Sequence, residues 1–107
     1  MNNDIKLYSN QVVDLIKRRY SNHINKVVIF GNSLDNFPEK LNIAVGLINE
    51  NEYNNFDLLG ELLSEIADII KGTNYDCDVY PIHELGVSKS TMAQIEKGVV
   101  VYEYNKG

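Results

Sequence analysis

Cysteine, histidine, proline and tryptophan are scarce or missing in this chain, and each scarcity removes a class of explanation. A single cysteine, Cys77, excludes an intrachain disulfide and a cysteine-built zinc cluster. His23 and His83 are the only histidines and lie far apart in sequence, so no metal-ligand spacing is present. Two prolines and seven glycines leave no stretch that reads as a flexible linker, and 107 residues suit one domain, 1–107. No run of about 20 apolar residues exists to span a membrane. The opening Met1-Asn2-Asn3-Asp4 lacks the basic start and apolar run of a secretion signal, so a cytoplasmic protein is expected. Positive charge is also short: 10 Lys and Arg against 15 Asp and Glu give a net charge of -5. Broad contact with nucleic-acid phosphates is therefore not expected. The one basic triplet, Lys17, Arg18 and Arg19, falls late in an expected helix, where it suits the helix dipole without any ligand.

What is present is enough apolar material, 44 % of residues, to build a modest core. Ile5, Tyr8, Val12, Leu15, Ile16 and Tyr20 recur at helical spacing and predict a helix from Asp4 to Tyr20, with Asp4 placed to cap it. Val27-Val28-Ile29-Phe30, closed by Gly31, reads as a strand covered on both faces. Asn32 to Lys40 reads as a loop, Leu41 to Ile48 as a second strand, and Asn49 to Asn55 as a polar connector. Phe56 to Lys71 carries the broadest apolar helical face, ended by Gly72. Asn74 to Pro81 predicts a third strand with Cys77 and Val79 alternating against Asp76 and Asp78. Ser90 to Lys97 predicts a short helix capped by Ser88 or Ser90. Val99 to Tyr104 predicts an edge strand, with the last three residues frayed. The expected fold is α+β, a single mixed sheet flanked by helices.

The segment from Gly31 to Leu47, GNSLDNFPEKLNIAVGL, joins a strand-ending glycine to a polar loop and a second strand. Such a turn suits a phosphate, because its amides point outward and glycine lets a group approach closely. In spacing it resembles the signature of the minimal nucleotidyltransferases of toxin–antitoxin pairs, in the polymerase-beta-like superfamily. That pattern runs strand, Gly-Ser, loop, then Ser-Asp-Ile-Asp-Leu. The ending, Ile95 to Tyr102, also resembles the family's short helix followed by Gly-Val-Val. The resemblance implies a nucleotidyltransferase-like fold over nearly the whole chain. It places Gly31 at the family glycine and Asn32 where the family serine holds triphosphate, with Ser33 a substitute hydroxyl one place later. It places Asn42 and Ala44 at the two paired carboxylates and Asp78, with Asp76 second, at the third.

Nucleotidyl transfer in that family needs those carboxylates to hold divalent metal around the triphosphate. Asn42 offers one neutral oxygen and Ala44 offers none. Each missing charge is worth about 4 kcal/mol at 4 Å for an effective dielectric of 20, an upper-range figure. Asp35 and Glu39 would repel a triphosphate as well. The expected function is thus that of a catalytically inactive nucleotidyltransferase-like protein that binds a partner. It needs no cofactor, and its metal ligands are lost. The resemblance implies an antitoxin-like role beside a small all-helical protein of the HEPN class. Two other readings stay open. One is an active adenylyl transferase using ATP and Mg2+ at Asp76, Asp78 and Asn42. The other is a homo-oligomeric module. Tyr102 and Tyr104, near the expected sheet edge, are the candidate interface residues. His23, His83 with Glu84, and Cys77 read as ordinary helix-end, loop and buried residues.

Overall fold

The computed structural model describes residues 1–104; the three terminal residues expected to fray lie outside them. Helix α1 spans Asn3–Arg19 and buries Ile5, Ser9, Val12, Val13, Leu15 and Ile16 along one face. Its cap is Asn2, not Asp4. The Asn2 side chain accepts from the amides of Asp4 at 2.8 Å and Ile5 at 3.4 Å. Asp4 sits inside the first turn, where its carboxylate meets the positive end of the helix dipole.

Strand β1 spans Ile24–Ile29 and starts three residues earlier than its apolar run suggests. Ile24 is fully buried and pairs with Leu47, with a bulge before Lys26, so only the Ser21–His23 region remains as a turn. Strand β2 spans Lys40–Leu47, helix α2 Phe56–Ile69, strand β3 Asp76–Pro81, helix α3 Lys89–Glu96 and strand β4 Val99–Glu103. Ser88 caps α3, accepting from the amide of Thr91. Gly72, at φ 84°, turns the chain after α2 into the approach to β3.

The sheet order is β3-β2-β1-β4. Strand β1 runs antiparallel to β2 and β4, and β2 runs parallel to β3 through the α2 crossover. Alternation sorts the side chains of β2. Leu41, Ile43 and Val45 join Val27 and Ile29 against α1 and α2, in the main core. Ala44 points the other way and joins Val28, Phe30 and Ile95 of α3 in a smaller apolar cluster. Both faces of β1 are therefore covered, as its unbroken apolar run implies. Among the described residues, no helix is long and apolar enough to cross a membrane.

Helices α1 and α2 are tied by a polar network that absorbs part of the basic triplet. Arg19 binds Glu65, and binds Glu61 at 3.3 Å. The Tyr20 hydroxyl donates to Glu65 Oε2 at 2.6 Å. Burial, then that hydrogen bond, then the charges of Glu65 and Glu61 push Tyr20 far above the ordinary phenol value of 10.0, against the pull of Arg19. The folded chain thus keeps a proton that the unfolded chain surrenders first. The stabilisation is complete below about pH 10 and is lost as pH climbs above it. Thermal melts from about pH 8 to 11 should show the wild type falling steeply on the alkaline side. Tyr20→Phe should start lower and fall less.

Candidate functional site

The chain leaves β1 at Phe30 in extended geometry and enters a 3-10 turn, Gly31–Leu34. Gly31 has φ 66°, a conformation that disfavours any side chain. Sequence patterning did not distinguish this turn from loop, because one 3-10 turn leaves no periodicity.

The side chains expected to face a nucleotide are instead engaged with the following loop and the start of β2. Ser33 is fully buried. Its hydroxyl donates to the carbonyl of Lys40 at 2.9 Å and accepts from the amide of Asn42 at 2.7 Å, pinning the turn to β2. Asn32 Oδ1 accepts from the amides of Glu39 at 2.7 Å and Lys40 at 3.0 Å. Asn32 Nδ2 donates to Asp35 Oδ2 at 2.9 Å. Together these bonds close the loop from Asp35 to Glu39 on itself.

Around Gly31 the structure gathers two neutral amides. A Cβ at Gly31 would lie 3.3 Å from Asn42 Nδ2 and 3.4 Å from Gln94 Oε1. Gln94 has no sequence signal, since it reaches Gly31 only because α3 folds back across this face of the sheet. Parallel register sets Asn42 beside Asp78 and Ala44 beside Tyr80. Asn42 and Asp78, the two positions that the resemblance assigns to one site, are therefore neighbours on adjacent strands. Ala44 is fully buried and lies in the apolar cluster with Val28, Phe30 and Ile95. Asp78 is half-exposed, and Lys40 Nζ stands 3.3 Å from its Oδ2. Asp76 is exposed at the start of β3, opposite Lys40.

This donor set does not suit a divalent cation. It offers two neutral amides, one carboxylate already facing an ammonium, and a methyl group. Among the described residues, no three His, Cys, Asp or Glu side chains converge into a metal-holding group. Cys77 packs partly buried against the main core. Burial first, then the charges of Asp78 and Asp76, raise its thiol pKa, so it stays protonated and unreactive at neutral pH.

The histidines and tyrosines occupy other places. His23 Nδ1 lies 3.0 Å from Glu52, so it is more than a helix-end residue. The His83 ring stacks on Tyr53, with centroids 4.0 Å apart and planes 2° from parallel. Tyr102 packs against the core with Lys17 over its ring, while Tyr104 is exposed. These two tyrosines border a cavity of about 430 Å³ with Ile48, Ser21 and Asn22. Tyr104 bonds to the backbone of Asn25, so the cavity lies at the end of β1 remote from Gly31.

A four-stranded mixed sheet with helices on both faces, a glycine turn after the first strand and a parallel third strand beside the second define a nucleotidyltransferase-like α+β fold. A chain in the crystal structure of the toxin–antitoxin pair MntA–HepT matches it with a TM-score of 0.67, over 92 % of this chain and 73 % of that one, at 17 % identity. No family model and no curated protein matches the sequence.

Proposed function

We propose that this chain is a catalytically inactive relative of the minimal nucleotidyltransferases, in the polymerase-beta-like superfamily, that works by binding a partner protein. Its partner is a small all-helical protein of the HEPN class, and its role is antitoxin-like, exercised in the cytoplasm by one domain over residues 1–107. The likeness to a chain of a toxin–antitoxin pair supports the direction of this reading. The observation that carries it is Ala44, sealed in an apolar cluster where transfer chemistry needs a carboxylate. The neutral amides at Gly31 and the Lys40–Asp78 pair point the same way. Neutralisation then rests on contact and not on modification of the partner.

Calorimetry with magnesium-ATP tests the lost chemistry. No binding tighter than about 100 μM is expected, and a tighter constant would restore the reading of an active transferase. Co-production with a HEPN-class protein tests the gained one. A stable complex should elute together with no nucleotide added and no mass increase on either chain. A chain that runs as a dimer and ignores the helical protein would favour the homo-oligomeric module instead.

A further inference from the structure

Phe37 is 90 % exposed, the most exposed large apolar side chain among the described residues. A single exposed aromatic is ordinary when its loop is slack. This loop is not slack. Asn32 ties both of its ends, through the amides of Glu39 and Lys40 on one side and the carboxylate of Asp35 on the other. Buried Ser33 anchors its base to β2, and Pro38 fixes the backbone directly after the ring. An aromatic held out on a braced loop loses little conformational entropy when it docks, which is how anchor residues gain their effect. The ring is also flanked two residues away on either side by Asp35 and Glu39, both exposed. Lys40, three residues after the ring, is engaged with Asp78.

We propose that Phe37 is the anchor of a protein–protein interface. It inserts into an apolar pocket on a different protein, and that pocket is rimmed by Lys or Arg side chains that meet Asp35 and Glu39. The inference rests on the partner-binding function proposed above and names the surface that performs it. The residues that would cradle a triphosphate in an active relative here brace the recognition loop.

The test places a photoreactive benzoyl-phenylalanine at position 37 and, as a control, at Phe56, which is 81 % exposed on α2. Irradiation of producing cells should give one discrete adduct from position 37 and none from position 56. Excess wild-type chain should suppress the adduct, and excess Phe37→Ala chain should not. With the crosslinked protein then purified, Phe37→Ala should weaken binding about 30-fold or more. Asp35→Asn with Glu39→Gln should weaken it less, and mainly at low salt. The melting temperature of Phe37→Ala should match the wild type, since nothing packs on the ring. Absence of an adduct, an adduct only with a second copy of this chain, or full affinity in Phe37→Ala would overturn the anchor. An adduct with a protein that is not all-helical would leave the anchor standing and overturn the HEPN-class assignment.

Discussion

Aspartate at position 44 should cost the fold about 4 kcal/mol, in the range known for uncompensated buried charges. For a chain of this length that lowers the melting temperature by about 15–30 °C. The reason lies in what surrounds the position. Ala44 is fully buried, pairs across the sheet with Val28 and Tyr80, and packs with Phe30 and Ile95 under α3. None of these offers a cation. Lys40 is held at Asp78. An aspartate here must stay ionised without a partner or take up a proton, and burial makes either course costly. Asn42→Asp should be far milder, about 1 kcal/mol, because Asn42 is only half-buried and Lys40 is near. The two variants together test the functional reading directly. If the double variant brought its two new carboxylates together with Asp78 around a cation, millimolar magnesium would raise its melting temperature by mass action. No such rise is expected. A gain of several degrees with magnesium would show that three carboxylates can converge here, and that this face is not closed.

The elements were legible wherever burial writes a period into the sequence. Helix α2 and strands β1, β2 and β3 appear close to where the apolar residues place them, because each buries a defined face. Even Gly72 takes the positive φ that a helix-ending glycine suggests. The misreadings are tertiary in origin. Asp4 has the right chemistry for a cap, but the helix begins one residue earlier than the pattern places it, so Asn2 takes the cap position and Asp4 falls in the first turn. Ile24 stands outside the apolar run that marks β1, and only its pairing with Leu47 across a bulge brings it into the strand. Arg19 looks like one more dipole-compensating cation until Glu61 and Glu65 arrive from a helix about 40 residues later.

The candidate site divides along the same line. The pairing of Asn42 with Asp78 was suggested only by the family resemblance, and the parallel register of β2 and β3 sets the two side by side. That Ala44 is sealed by Ile95, that Gln94 meets Gly31, and that Lys40 faces Asp78 all depend on where α3 and β3 come to rest. Ser33 and Asn32 show the sharper limit. Sequence supplies their oxygens, but only the fold shows those oxygens bonded to backbone amides instead of facing outward. A side chain that braces a loop and one that holds a phosphate look alike until the partner atoms are known.

Gly98→Ala should destabilise the chain by about 3 kcal/mol, a drop of about 10–20 °C in melting temperature. The cause is space, not backbone angle, for Gly98 is not among the positive-φ glycines. A Cβ there would lie 2.6 Å from Val28 Cγ1, 2.7 Å from the carbonyl oxygen of Ile29 and 3.0 Å from Phe30 Cβ. The valine methyl can rotate away, but the carbonyl belongs to β1 and cannot yield without opening the β1–β4 pairing. Adding Val28→Ala should therefore recover only part of the loss, and the shortfall measures the backbone share. Gly60→Ala in α2 is the matched control. Nothing lies within 4 Å of a Cβ at Gly60, so it should gain roughly 0.5–1 kcal/mol from helix propensity. Thermal melts of the four chains decide the matter, and equal effects at the two glycines would refute the steric account. The position also bears on the site. Gly98 joins α3 to β4, so the contact that forbids its side chain sets how closely α3 lies on the sheet, and hence how firmly Ile95 covers Ala44 and Gln94 reaches Gly31. Any loosening at Gly98 should appear first as faster amide exchange in α3, before β2 or β3 responds.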